Sequence, residues 1–390
     1  MSLKSLIFHY PVFNTGGAER STNKLMTAFC NRGWEVTLLL TTGGGDFEHA
    51  LDDRVKVIYL RSEKFGSKFV EAKGIKKVFQ VYDLLGYGLQ VLREKWVLFM
   101  LRDREYQAGI VSLTGRSPHV LIKYINCRTR LHIIRNDVSG FGQIDLKKVK
   151  AAIEPYYQNI NQYICVAGQT KKSLLAAFPF LEQKTTVIYN LLEPQRMIDA
   201  LEGVTDPYSS YKSDTIKVIT VCRLNDKAKG LLRMIKVHRK LLDQGVNHLW
   251  FVVGEGKDRK LIEESILEND VKESFILLGH RDNPYPYYHY ADVSAILSYY
   301  EGFCGTVNEA KVMGKPVIAT RFSGIREQIV EGKNGVVVAN SEDAIVQGFA
   351  KLLRDRDMLD EITNDFLPVT VIDDGKKIET LEKLIWKKVY

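Results

Sequence analysis

Glu301 and Glu309 flank a turn spaced by glycines, Gly302-Phe303-Cys304-Gly305. The turn follows an apolar run, Val293 to Leu297, that reads as a buried strand, and it leads into a helix from about Thr306 to Met313. Gly314 closes that helix, and Pro316-Val-Ile-Ala starts the next strand. The backbone N–H groups of Cys304, Gly305, Thr306 and Val307 are expected to point out of the helix start. Unpaired donors and the positive end of the helix dipole suit that point to an anion such as a diphosphate, and Gly305 lets the backbone come close. Glu301 falls on the loop and Glu309 in the first turn of the helix. A carboxylate there is suited to the paired hydroxyls of a ribose or a hexose. A second cluster follows the run Ile216 to Val221, where Arg223 and Lys229 stand beside another helix start, again an arrangement for a diphosphate. Lys227 is an alternative to Lys229. Each cluster alone is also what a solvated strand–turn–helix carries.

Elements that could position these groups recur along the chain. Ser5 to His9 reads as a strand, Gly16-Gly17-Ala18-Glu19 as a turn, and Ala18, Thr22, Leu25 and Phe29 as one face of a helix before a strand at Glu35 to Leu40. The third glycine of a dinucleotide fingerprint is missing. Further strands are expected at 55–60, 109–113, 131–134, 163–166, 187–190, 216–221, 248–253 and 274–278. Residues 191–214, with Pro194, Pro207 and Ser209-Ser210, read as a linker. Alternating strands and helices on both sides of it argue two doubly wound, mostly parallel α/β domains, residues 1–195 and 196–370, with a last helix in 371–390. A ligand cleft is expected between them, at the carboxyl ends of the strands. His132, alternating with Leu131 and Ile133, reads as structural. Residues 69–104 read as one or two helices rich in Val, Leu, Phe, Tyr and Trp with scattered lysines and arginines, either core-facing or a basic amphipathic surface.

Glu301-x7-Glu309, followed by Ala310 and Gly-Lys-Pro-Val-Ile-Ala, resembles the signature of the retaining nucleotide-sugar glycosyltransferases of family 4, which have the GT-B fold: two Rossmann-like domains facing each other across a cleft. The likeness extends over nearly the whole chain. It is specific from about Ile216 to Val338, weaker at Gly16–Glu19 and vague over 60–130. It implies transfer of a hexosyl group from a UDP- or GDP-sugar, with retention, to a glycan or lipid-linked acceptor held by the first domain. Arg223 and Lys229 would stabilise the leaving diphosphate together with the Cys304–Val307 amides. Glu309 would hold the ribose and Glu301 the transferred sugar. Gly16 and Gly17 would line the rim, Phe303 and Gly254 would lie at the donor site, and His280 and Arg281 would follow the glycine whose backbone holds the base. The acceptor would attack from the face the diphosphate leaves, with that phosphate taking the proton. The final helix would cross back onto the first domain. Two departures stand out. Many relatives carry a histidine where this chain has Arg135-Asn136-Asp137, so Asn136 and Asp137 are the expected sugar contacts. Cys304 replaces a usual Gly or Pro.

The charge distribution is uneven. Residues 1–195 hold 27 Lys and Arg against 17 Asp and Glu, a net of +10, while 196–390 hold 28 against 30, a net of −2. The basic half points to an anionic partner, and we expect an anionic membrane surface, reached in part through Lys73, Lys76 and Lys77, rather than nucleic acid. The start has no signal-peptide layout and the apolar runs are too short to span a bilayer, so the chain is expected in the cytoplasm, peripheral on the inner face of the membrane. Cysteines 30, 127, 165, 222 and 304 show no C-x-x-C pairing and suggest reduced thiols. His280-Arg-Asp282 lacks the other kinase motifs, and Asp355-Arg-Asp357 cannot share an ion from a helix, so no protein-bound metal and no cofactor is expected. Two rival readings remain: a non-hydrolysing nucleotide-sugar epimerase, and a non-catalytic basic scaffold on the same fold.

Overall fold

The structure, a computed structural model, describes residues 4–62, 81–139, 145–362 and 368–387. Strands β1 (Ser5–Tyr10), β2 (Glu35–Thr42), β3 (Lys56–Arg61), β4 (Glu105–Val111), β5 (Asn126–Ile134), β6 (Gln162–Cys165) and β7 (Thr185–Val187) form one sheet in the order 3-2-1-4-5-6-7. A second sheet holds β8 (Ile216–Val221), β9 (His248–Val253), β10 (Phe275–Gly279), β11 (Val293–Ile296), β12 (Val317–Thr320) and β13 (Gly335–Val338), in the order 10-9-8-11-12-13. All these pairings are parallel, as the alternating pattern predicts. Helices cover both faces of such sheets, which is why their strands are apolar runs rather than alternations: all six residues of β1 are buried.

Strand order reverses at β1/β4 and again at β8/β11. Loops that leave neighbouring strands in opposite directions open a crevice at the carboxyl ends. β11 pairs with β8 through Val293–Val218 and Ser294–Ile219. This register brings the loop after β8, with Arg223 and Lys229, beside the loop after β11, with Glu301.

Two stretches depart from expectation. Within 191–214, expected as plain linker, Pro194–Asp199 is a helix, started by a proline whose missing N–H costs nothing at that position. The helix after β11 runs Gly305–Val312, so Glu309 lies in its second turn. The final helix, Asp374–Trp386, lies on the first sheet's unit. Glu382 accepts from Trp34 Nε1 (2.8 Å) and Arg32 Nη1 (2.9 Å), and the Ile385 carbonyl accepts from Thr129 Oγ1 (2.9 Å). At the crossing, Lys377 Nζ donates to the Asn190 carbonyl (3.0 Å) and to Asp374 (2.7 Å), and Asp374 accepts the amides of Leu192 and Glu193.

Four buried histidines make the fold acid-sensitive. Burial lowers His9 to about 3, His132 to about 4, His238 to about 2 and His248 to about 4, with Arg116 also acting on His9 and His248 on His238. Nδ1 of His238 faces Nε2 of His248 at 2.8 Å, Nε2 of His238 faces Ser274 Oγ at 2.8 Å, and Nδ1 of His248 meets the Val246 carbonyl at 2.8 Å, so charging both rings would set two N–H groups against each other. Each folded pKa lies below its unfolded value of about 6.5. The unfolded chain therefore binds more protons, and this stability is present above about pH 6.5 and is lost as pH falls through the folded values, by up to about 1.4 kcal/mol per histidine per pH unit. Urea unfolding midpoints should fall steadily from about pH 6.5 to about pH 4; a flat profile would contradict this.

Candidate functional site

The loop after β8 forms a short helix, Asp226–Lys229, ended by Gly230 in a left-handed conformation. That turn directs Lys229 at Glu301, and their side chains, 22% and 17% exposed, form an ion pair. Burial alone would lower the Lys229 pKa; the Glu301 carboxylate beside it raises it above the usual lysine value, so the ammonium keeps its charge. Ser298 Oγ donates to the same Glu301 oxygen at 2.8 Å. A small cavity at the ends of β8 and β11 is lined by Cys222, Lys229, Ser298 and Thr306, among others.

Arg223 reaches the other domain, donating to the Thr15 carbonyl. The adjacent Gly16 caps the Gly17–Asn31 helix with extended backbone. A Cβ on Gly16 would lie 2.3 Å from Glu19 Oε2 and 2.9 Å from Arg223 Nη2. Gly17 opens the helix with nothing against it. The Gly-Gly turn and the Arg223 cation thus meet face to face.

The helix start Gly305–Val312 differs from expectation at one donor. The Cys304 N–H is taken by Gln328 Oε1 (3.1 Å), and Gln328 Nε2 returns to the Cys304 carbonyl (2.7 Å) and Asn308 Oδ1 (2.6 Å). Cys304 therefore fixes the turn rather than presenting its amide. Its thiol, raised by burial to about 11, lies 3.2 Å from Thr306 Oγ1. Gly305 is exposed with open space around it, Thr306 is half-buried and Val307 is buried. Phe303 is buried against Tyr189, ring centroids 4.9 Å apart.

Glu309 is half-buried, with Tyr288 Oη 3.4 Å from its carboxylate. Burial raises its pKa, against Lys24 and Arg20 of the first domain, which lower it. Those two cations, absent from the sequence reading, act on Glu309 from the first domain.

The first domain's loop after β5 lies directly opposite. A Cβ on Gly302 would sit 2.3 Å from the Arg135 carbonyl and 3.4 Å from Asn136 Cα, so only glycine admits this approach. Arg135 itself is buried, and all its donors are engaged: Nε with the Ser112 carbonyl, Nη1 with Ser21 and Asn190, Nη2 with Thr22 and Ser112 Oγ, at 2.8–3.0 Å. It is a strut under the cleft, tying β5, the first helix and Asn190. Asp137 Oδ1 accepts from the Ser139 amide (2.9 Å) and hydroxyl (2.5 Å). Burial pushes the Asp137 carboxyl up, and hydrogen bonds from Ser139, Ser323 and Ser173 together outweigh it, leaving the pKa lowered. Asp137 is thus engaged by Ser139 of its own loop and by Ser173 and Ser323, and the backbone of Arg135 and Asn136 is what meets the Gly302 turn.

The remaining residues sit at the ends of β9 and β10. Gly254 has φ +147°, and a Cβ there would fall 1.8 Å from the Cys222 carbonyl, so glycine alone lets β9 end against the Arg223 loop. His280 faces Asp282 (3.1 Å) and Arg281 Nε donates to Tyr287 Oη (2.9 Å), both at the surface. Among the described residues no group of His, Cys, Asp or Glu gathers in a way that could hold a metal ion.

One interdomain contact had no sequence signal. Glu327 accepts the Gly168 amide (2.7 Å), the Gln169 amide (2.8 Å) and Tyr189 Oη (2.9 Å), so a carboxylate of the second domain caps the Gly168–Ala177 helix of the first. Glu327→Ala is expected to lower stability by about 1–2 kcal/mol and to loosen the two domains. Unchanged melting together with an unchanged radius of gyration in solution scattering would contradict it.

Residues 208–365 match the family model described as Glycosyl transferases group 1. An uncharacterised glycosyltransferase of Methanocaldococcus jannaschii is 23% identical over 276 residues, 69% of this chain and 64% of that protein. The amylovoran biosynthesis glycosyltransferase AmsD of Erwinia amylovora is 21% identical over 350 residues, 90% of each chain. A Campylobacter jejuni enzyme, N-acetylgalactosamine-N,N'-diacetylbacillosaminyl-diphospho-undecaprenol 4-alpha-N-acetylgalactosaminyltransferase, is 26% identical over 189 residues, 47% of this chain and 48% of its own. Among solved structures, Anabaena HepE in complex with UDP and glucose superposes with a TM-score of 0.72 at 17% identity, covering 97% of this chain and 99% of that one. The fold is GT-B, shared with that structure over nearly the whole chain.

Proposed function

We propose that this chain is a glycosyltransferase that moves a hexosyl group from a UDP- or GDP-sugar to a glycan acceptor carried on a lipid, with retention at the anomeric carbon and without a protein-bound metal. The observation that carries the reading is the Lys229–Glu301 ion pair, beside a cavity that Lys229 shares with Thr306 of the Gly305–Val312 helix, with Arg223 of the same β8 loop reaching the Thr15 carbonyl across the cleft, at the strand-order switch of the second sheet. Anabaena HepE, of the same fold, is a complex with UDP and glucose. The names of the Erwinia and Campylobacter relatives speak for polysaccharide synthesis and for a diphospho-lipid acceptor.

In this account the donor diphosphate takes Lys229 from Glu301 and Arg223 from the Thr15 carbonyl, and the Gly305 and Thr306 amides complete its cradle. Glu301, released from the ammonium, accepts the hydroxyls of the transferred sugar, with Asn136 approaching from the opposite domain. Glu309 accepts the ribose hydroxyls. The acceptor oxygen forms its bond to the anomeric carbon as the carbon–diphosphate bond breaks, on the same face, and the acceptor's proton passes to the departing phosphate. Charge develops on the diphosphate, where the two cations already stand, so no Lewis acid is required.

A thermal-shift screen against UDP, GDP and their sugars tests the reading, since a ligand at 100-fold over Kd adds about 2.7 kcal/mol to the folded state. No shift with any of them would overturn it. Turnover is expected to survive EDTA; activity lost to EDTA and restored by Mg²⁺ or Mn²⁺ would remove the metal-free step. The basic first half, net +10, is read as the side that meets the inner face of the membrane. Of the residues expected there, Lys73, Lys76 and Lys77 lie outside the described residues.

A further inference from the structure

The helix Val81–Leu101 has two opposed apolar faces. Val97, Leu98 and Leu101 are buried with Ile7, Leu39 and Leu60 against the first sheet. On the other side, Leu85, Leu89, Leu92, Trp96, Phe99 and Met100 are 59–67% exposed. At about 100° per residue these six fall within an arc of roughly 100°, opposite the buried three. Six large apolar side chains in one stripe form a patch that a free soluble surface rarely carries.

The charges decide what covers it. On the same wheel Arg93 lies to one side of the stripe and Lys95 to the other. The acidic Glu94 is turned away and paired with Arg61 at 2.6 Å. An apolar strip edged by cations, with a tryptophan in it, matches a bilayer surface whose headgroups are anionic: the stripe enters the acyl boundary and the cations stay among the headgroups. A second copy of the chain fits less well, because a two-fold pairing of stripes would set the cationic edges at Arg93 and Lys95 against cationic edges. None of the described helices is long and apolar enough to cross a membrane, so the helix lies along the surface.

We propose that the Leu85–Met100 face is embedded in the interface of an anionic membrane. This deepens the membrane association proposed above by naming the surface, and its test stands apart from the donor site. Attachment then has an apolar component that salt does not screen, in addition to the electrostatic one.

Flotation of the full chain with phosphatidylcholine vesicles, with and without phosphatidylglycerol, reads this directly. Binding is expected to anionic vesicles, with a blue shift of tryptophan emission that Trp96→Phe removes, and to persist in part at high salt. The pair Leu89→Glu and Leu92→Glu should lower the partition coefficient by about tenfold or more. These positions are exposed, and unchanged melting with unchanged UDP or GDP binding shows that the fold is intact. Loss of vesicle binding with normal nucleotide binding in that pair supports the proposal. Absence of flotation in the unsubstituted protein while it binds nucleotide overturns it, as does complete release by salt. A dimer in sedimentation equilibrium that Leu89→Glu dissociates also overturns it, assigning the stripe to self-association. Failure to bind nucleotide with normal flotation sinks the donor reading alone.

Discussion

The pair Arg223→Ala and Lys229→Ala is expected to lower kcat by about 10²–10³-fold or more, with a much smaller change in the KM for the donor. Both cations sit at the strand-order switch of the second sheet. Lys229 is held charged by Glu301, and Arg223 lies across the cleft against the Thr15 carbonyl beside Gly16. In the proposed reaction charge on the diphosphate would grow as the sugar leaves, so these groups would act most strongly in the transition state. A single donor aimed at developing charge is worth about 2.7–4 kcal/mol in a water-poor site, and two neighbours need not add. Lys229→Ala also leaves Glu301 with Ser298 as its remaining hydrogen-bond partner, so the folded fraction must be measured alongside. Arg223→Lys, which keeps the charge and loses the fork, should fall between. Single-turnover rates within a few-fold of the unsubstituted protein would place the diphosphate elsewhere.

Glu309→Ala is expected to weaken nucleoside diphosphate binding by about 1.5–3 kcal/mol, roughly 10- to 150-fold in Kd. Its carboxylate is half-buried, and the nearest described donor, Tyr288 Oη, is 3.4 Å away, too long for a strong bond. Strong acceptor capacity therefore remains for a ribose. Lys24 and Arg20 oppose the burial that raises its pKa. In the proposed pose the contact is to the nucleoside, so the effect should appear in calorimetry of the bare nucleotide, with no sugar or acceptor present. An equal Kd for Glu309→Ala and the unsubstituted protein would remove Glu309 from the site.

The parallel sheets were readable because strands buried on both faces are uninterrupted apolar runs, such as Val293 to Leu297. Turn chemistry placed Arg223 and Glu301 on the loops that leave β8 and β11, and Lys229 and Glu309 on the short helices that follow those loops. Contacts made across long sequence separation were not readable. Gln328 takes the Cys304 amide from 24 residues away, and Glu327 caps a helix 159 residues before it; neither has a local pattern. Arg135 follows an apolar strand into what looked like a ligand loop, yet its guanidinium turns down into Ser21, Thr22, Ser112 and Asn190. The Val81–Leu101 helix was ambiguous for a different reason. It is apolar nearly all round, so periodicity could not tell which of its apolar faces the sheet covers.

The central claim is tested most directly by following the anomeric protons in real time by NMR, with a UDP- or GDP-hexose and a lipid-linked diphosphate sugar as acceptor. The account predicts a new glycosidic signal with the anomeric configuration of the donor, nucleoside diphosphate released in equal amount, and no reaction without acceptor. A donor converted to its epimer in the absence of acceptor, a product of inverted configuration, or no turnover with any of these donors would contradict it.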